Sequence, residues 1–93
     1  MKTATWNGTV LAQSDATVVI VGNQYFPPES INKQYFKSSD TQTTCPWKGL
    51  ASYHDIEVDG KLNRDAAWYY EHPSNLAASI KGHVAFGNGV VIK

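Results

Sequence analysis

Val58-Asp59-Gly60-Lys61 decides the fold. It lies between two β-prone runs, 50–58 and 64–70. Asp-Gly supplies the positive φ values that a tight type I′ turn needs. The stretch therefore predicts an antiparallel hairpin in which Val58 faces Lys61. Continued without interruption, that register sets Asp55 opposite Arg64, His54 opposite Asp65, Tyr53 opposite Ala66 and Ala51 opposite Trp68. Charges of opposite sign and large with small residues are then matched, at about 0.2–1 kcal/mol per pair. Alternation places Tyr53, Trp68 and Tyr70 on one face and His54, Asp65 and Tyr69 on the other.

Just before this hairpin stands Thr43-Thr44-Cys45-Pro46-Trp47-Lys48-Gly49. Further upstream, runs 9–12 and 17–21 are β-branched and predict a second hairpin, turning through Ser14-Asp15-Ala16. Gly22-Asn23 ends that strand or permits a bulge. Tyr25-Phe26 is extended, because it precedes Pro27. Residues 27–33 predict a single helical turn, with proline at its start and Glu29 at the positive end of the dipole. Residues 35–37 read as a short strand and 38–42 as a polar turn. Downstream, Pro73 closes the partner strand. Residues 74–80 predict a short helix capped by Ser74. Runs 83–86 and 90–92 are expected to pair through Gly87-Asn88-Gly89. The sum is a mainly β fold: a single small antiparallel β domain over residues 1–93, with one or two short helical segments.

A chain of 93 residues buries only about 60–65% of its unfolded surface, so large side chains must carry the core. Three Trp, five Tyr and three Phe serve that need. Eight Lys and Arg balance eight Asp and Glu. A nucleic-acid platform would need a basic field, so no nucleic-acid partner is expected. No apolar run approaches the roughly 20 residues of a membrane span. The segment Met1-Lys2-Thr3-Ala4-Thr5-Trp6 lacks the apolar stretch of a signal peptide. One cysteine forms no internal disulfide and suits a reducing compartment, so a cytoplasmic location is expected. It also rules out a multi-cysteine zinc site within one chain.

Trp47, Tyr53, Trp68, Tyr70 and Tyr25 are candidates to line a pocket for a planar or cationic small molecule. Lys48 is the candidate polar anchor, a compact charge with three donors. Gly49 beside it allows a ligand or a second strand to come close. Cys45 is a candidate reactive thiol, its thiolate favoured by Lys48. His54 opposite Asp65 has the arrangement of an oriented general base. Against these stand plainer roles: core aromatics, a surface lysine, a buried thiol and a solvated ion pair. His54, His72 and His83 lack metal-ligand spacing, so no metal and no cofactor is expected.

Thr44-Cys45-Pro46-Trp47-Lys48-Gly49, followed by Ala51-Ser52-Tyr53, Ala66-Ala67-Trp68-Tyr69-Tyr70, Pro73, Ile80-Lys81-Gly82 and Val84-Ala85-Phe86, resembles the bacterial domain of unknown function 427 family. Tyr25-Phe26-Pro27 and Ser39-Asp40-Thr41 fit the same pattern, and the likeness spans essentially the whole chain. The resemblance implies a bent two-sheet or half-barrel fold of the Mss4-like, β-tent group. Some relatives in that group hold zinc through two Cys-x-x-Cys pairs, which this chain lacks. The family carries a nucleotidyltransferase label. Such chemistry generally uses carboxylates on a divalent metal and a phosphate-cradling loop. Here no Gly-rich loop precedes a helix.

The expectation is a small-molecule-binding module with an aromatic-lined pocket around the Cys45-Pro46-Trp47-Lys48-Gly49 motif. The alternatives are a small enzyme, transferase-like or dependent on Cys45 or His54, and a homo-oligomeric interaction module. Monomer and weak homo-oligomer both fit the sequence.

Overall fold

The computed structural model describes residues 1–93. Nine strands form in chain order: β1 (Lys2–Trp6), β2 (Thr9–Ser14), β3 (Val18–Ile20), β4 (Asn23–Tyr25), β5 (Phe36–Cys45), β6 (Gly49–Val58), β7 (Lys61–Tyr69), β8 (Val84–Phe86) and β9 (Val91–Ile92). They make three antiparallel sheets, ordered β2-β1-β9, β3-β4 and β5-β6-β7-β8. The helical content is three short 3₁₀ segments, Pro28–Ser30, Lys33–Tyr35 and Asn75–Ile80. The fold is mainly β, as the sequence predicts. No helix is long and apolar enough to cross a membrane.

The β6–β7 hairpin turns at Asp59-Gly60, both at positive φ (51° and 78°), and pairs Val58 with Lys61. That register holds only as far as Ile56 opposite Asn63. Beyond it, Arg64, Asp65 and Ala66 together oppose Asp55, and pairing resumes with His54 opposite Ala67 and Tyr53 opposite Trp68. The expected pairs Asp55 with Arg64, His54 with Asp65, Tyr53 with Ala66 and Ala51 with Trp68 are therefore corrected. The cause is Asp65, whose φ of 53° breaks the extended chain and inserts a bulge. The insertion adds two residues, so alternation resumes in phase. Tyr53 and Trp68 share a face, with ring centroids 6.2 Å apart. His54 and Tyr69 stack on the other at 4.8 Å.

β5 mirrors this behaviour. Ser39, Asp40 and Thr41 together oppose Tyr53 of β6. The expected turn over 38–42 is thus a bulge within one long edge strand. Both neighbours of β6 swell at adjacent same-face positions, Tyr53 and Asp55.

Two hairpins differ from expectation. Residues 9–14 pair with β1 rather than with 17–21. Asn7 and Gly8 take the positive φ values (50° and 73°) of a two-residue loop. Ser14 instead accepts the Ala16 N–H on its hydroxyl at 2.9 Å, a local turn that closes no hairpin. β3 turns back on β4 through Val21-Gly22. At the other end, β9 leaves β8 and pairs with β1, Ala4 opposite Ile92. One side of β8 is held by β7, and Val84 on the other exchanges backbone bonds of 2.7 and 2.8 Å with Phe26. Ser74 stands before Asn75–Ile80, but its hydroxyl caps nothing there.

The four-stranded sheet carries apolar side chains on both faces. One cluster gathers Ile56, Val58, Ala67, Val84 and Phe86 with Ala4, Leu11 and Ala12 of the β1–β2 sheet, and with Phe26. The other gathers Ala51, Tyr70 and Ala85 with Tyr25, Ala77 and Ile80, flanked by Tyr53 and Trp68. Burying one such side chain contributes about 1.5–3 kcal/mol.

Candidate functional site

Cys45 ends β5, Gly49 opens β6, and the two are paired. Gly49 holds φ at 112°, and a Cβ there would stand 3.4 Å from the His72 carbonyl oxygen. Only glycine suits that conformation at that distance. The Ser74 N–H donates to the Lys48 carbonyl at 2.9 Å, and the Ser74 hydroxyl donates to the Trp47 carbonyl. The turn is thereby strapped to the segment that follows Pro73.

Held this way, Lys48 points inward and is only 8% exposed. Its ammonium donates to the Tyr25 hydroxyl at 3.4 Å, and the Trp68 indole N–H donates to the same oxygen at 3.3 Å. The nitrogen stands 5.3, 5.5 and 5.9 Å from the ring centroids of Tyr70, Trp47 and Tyr25. The expected aromatic walls thus converge, and what they enclose is the chain's own ammonium. Burial opposes the charge, but the Tyr25 hydroxyl and, at alkaline pH, the charges of Tyr25, Tyr70 and Cys45 outweigh it and raise the Lys48 pKa. Burial raises that of Tyr70. The backbone N–H groups of Trp47 and Lys48 lower the pKa of Cys45 against its partial burial, with help from the Lys48 charge.

The open space lies elsewhere, on either side of the β5 bulge. A cavity of about 400 Å³ is bounded by Ser38, Ser39, Asp40, Gln42, Ser52, Tyr53, His54, Tyr69 and Glu71. A second, of about 230 Å³, shares Ser38, Ser39 and Asp40 and adds Thr41, Asp55, Arg64 and Asp65. Between them Asp65 reaches over β6. Its carboxylate accepts the Ser39 hydroxyl at 2.5 Å and the Thr41 hydroxyl at 2.8 Å, while its N–H donates to Asp55 at 2.8 Å. The two hydroxyls lower the Asp65 pKa. His54 lies between the ring of Phe36, edge-on at 5.5 Å, and that of Tyr69. Its Nδ1 is buried without a hydrogen-bond partner. Burial lowers its pKa, only partly offset by the Lys37 backbone and the Asp55 charge.

Of the residues singled out from sequence, Tyr25, Trp47, Lys48, Trp68 and Tyr70 come together, with Cys45 beside them. Tyr53 touches Trp68 and also lines the larger cavity. His54 lies on the opposite face and meets no Asp65 carboxylate, so the His54–Asp65 pairing is corrected. No group of three or more His, Cys, Asp or Glu side chains is placed to hold a metal ion. Sequence reasoning missed Ser38, Ser39, Asp40, Gln42, Ser52, Tyr69 and Glu71. A signal for them exists: the unbroken polar run 37–44 lies beside a strand in register, a pattern that suits an edge strand opening a cleft.

A search of curated proteins gives no match. The profile of a family described as a domain of unknown function (DUF427) matches residues 2–92. That stretch takes in the Cys45–Gly49 turn, both bulges and every strand. The chain belongs to this DUF427 family.

Proposed function

We propose that this chain is a small ligand-binding module whose ligand occupies the cleft between the β5 bulge and the His54–Tyr69 stack. One observation carries the reading: an open cavity of about 400 Å³ beside the β5 bulge, lined mostly by polar residues, among them Ser38, Ser39, Asp40, Gln42 and Glu71. Its size falls at the lower end of small-molecule sites, roughly 300–1,000 Å³. Tyr53 links it to the aromatic cluster of the Cys45–Gly49 motif, which acts as the rigid backing of the site. On this reading Tyr25, Trp47, Lys48, Trp68 and Tyr70 hold Tyr53 in place rather than touching the ligand. The module works as one domain over residues 1–93, and its free Cys45 suits a reducing cytoplasm.

A thermal-shift panel of small polar metabolites tests this. Hits are expected, and Ser38→Trp, which fills the mouth of the cavity from an exposed position, abolishes them while leaving the unliganded midpoint unchanged. A panel without hits, or hits that survive Ser38→Trp, overturns the proposal.

A second reading is favoured by a specific observation. The lowered pKa of Cys45 beside Lys48 suits a reactive thiol, and hence the Cys45-dependent enzyme.

A further inference from the structure

We infer that the β1–β2 turn carries a self-modifying site: Asn7 cyclises on Gly8 and loses its side-chain amide as ammonia, whereas the second Asn-Gly pair, Asn88-Gly89, is kept intact by the fold. The reagent is the chain itself, and water is the only co-reactant. Six asparagines occur in the chain. Four of them precede Gln24, Lys33, Arg64 and Leu76, whose side chains hinder attack by the following backbone nitrogen. Asn7 and Asn88 alone precede glycine, where no Cβ stands in the way.

The two pairs are alike in backbone. Asn7 and Asn88 are exposed, stand at φ 50° and 48°, and are each followed by a glycine at positive φ. Neither glycine N–H donates to another backbone group. What holds the asparagine differs. Asn88 Nδ2 donates to the Arg64 carbonyl at 2.9 Å and to the Asp65 carbonyl at 3.3 Å, and the Asn88 carbonyl accepts from Asn63 at 2.8 Å. Beside it, a Cβ on Gly89 would meet the Trp6 indole nitrogen at 4.0 Å. Asn7 has a single tie, from Nδ2 to the Val58 carbonyl at 3.4 Å, at the weak end of hydrogen-bond distances. A Cβ on Gly8 would meet nothing within 4 Å, so this turn has room to rearrange.

The step balances within the chain. The Gly8 nitrogen gives up its proton and bonds to Asn7 Cγ, the Cγ–Nδ2 bond breaks, and the leaving nitrogen departs with that proton as ammonia. Water then opens the cyclic imide at either carbonyl, leaving aspartate or isoaspartate at position 7. The product has lost the N–H that reached Val58. An ionised carboxylate only accepts hydrogen bonds, so it is set against the Val58 carbonyl and beside Asp59. The tip of the β1–β2 hairpin is thereby untied from the tip of β6–β7.

Incubation of the folded protein in ¹⁸O water at pH 7.5, followed by trypsin in ordinary water and mass spectrometry, tests the inference. The peptide spanning 3–33 is expected to gain ¹⁸O at position 7, and the peptide spanning 82–93 to stay unlabelled at position 88. Asn88 should react about tenfold more slowly than Asn7, since two more hydrogen bonds must break before it cyclises. In urea the two rates should converge. Equal rates in the folded chain, or a folded Asn7 as slow as Asn88, overturn the inference. Asn7→Asp, which stands in for one product, is expected to move the amide signals of residues 58–61. Unmoved signals overturn the untying of the two tips.

Discussion

Asp65 of β7 and Ser39 of β5 are joined by a hydrogen bond of 2.5 Å across β6, the strand that separates them. Each residue sits in a bulge, and each bulge swells beside the same stretch of β6. The contact explains how two irregular strands stay in one sheet. The Asp65 carboxylate supplies the acceptors that the β5 bulge would otherwise seek in water, and so fixes the wall that both cavities share.

Asp65→Ala is expected to loosen that wall. The hydroxyls of Ser39 and Thr41 lose their acceptor, and the amide signals of residues 38–42 broaden or move while those of the hairpin end at 58–61 stay. The pH dependence has a definite sign. The folded pKa lies below the ordinary carboxylate value, so this contribution is present above that value and is lost as pH falls through the lowered one. A thermal melt at pH 7 shows a clear loss of Tm for Asp65→Ala, and a melt well below the folded pKa shows a smaller one.

His54 gives a dependence at milder pH. Its folded pKa is below the free histidine value of 6.5, so the unfolded chain binds the proton more readily. Stability is full above 6.5 and falls as pH drops from there through the folded pKa. Urea midpoints at pH 7.5 and 5.0 should differ for the native chain, and His54→Phe should narrow the gap. An unchanged gap means that another group causes it.

Tyr25 and Lys48 should respond unequally. Tyr25→Phe removes the hydroxyl that accepts from both Lys48 and Trp68, leaving a buried ammonium without a partner, at about 1–3 kcal/mol. Lys48→Met keeps the packing of the stem and removes the charge, so it should alter stability by less than about 1 kcal/mol. The raised pKa values of Lys48 and Tyr70 imply stability that is present below their ordinary values and fades as pH climbs through the raised ones. Equal losses for the two variants in chemical denaturation would contradict this account.

Val21 is a β-branched residue at φ 50°, in a two-residue loop that favours Asn or Gly. It is 73% exposed, so replacing it disturbs no packing. Val21→Asn should stabilise the chain by about 1 kcal/mol, a rise in Tm of about 4–8 °C. No rise would mean that the loop gains from valine in some other way.

Cys45 should be alkylated by iodoacetamide with a rate midpoint below that of an ordinary thiol, because the N–H groups of Trp47 and Lys48 favour its thiolate. Lys48→Met should move the midpoint upward by only a fraction of that difference, since the lysine charge is the smallest of the causes. A midpoint at the ordinary thiol value would remove the support for the enzymatic reading.

The sequence discloses the β6–β7 hairpin because Asp59-Gly60 is a local signal with one conformational meaning. The sharing of a face by Tyr53 and Trp68 is equally legible, and it survives because the β7 bulge sets three residues opposite one and so adds two. The bulges themselves are not legible. Asp65 looks like any charged strand residue until its carboxylate finds hydroxyls on a strand 24 to 26 positions away. Asn7-Gly8 is as strong a turn signal as Asp59-Gly60, but two β-branched runs on either side of Ser14-Asp15-Ala16 compete with it. The pairing of β9 with β1 joins the ends of the chain, and no local pattern can announce it. At the candidate site, the convergence of aromatics on Lys48 is legible from the motif. The burial of that lysine is not, because lysine is seldom buried without a partner. The cleft escapes notice because the residues that open it are small and polar.

The pairing of the two ends also sets how the molecule answers to force. Thr3 and Lys93 exchange backbone bonds of 2.9 and 3.3 Å at one end of an antiparallel pair. Tension applied at both termini loads those bonds one after another, peeling β9 away like a zip instead of shearing the sheet. In an optical trap the first rupture should therefore come at low load and release only the last few residues, with the inner strands still folded.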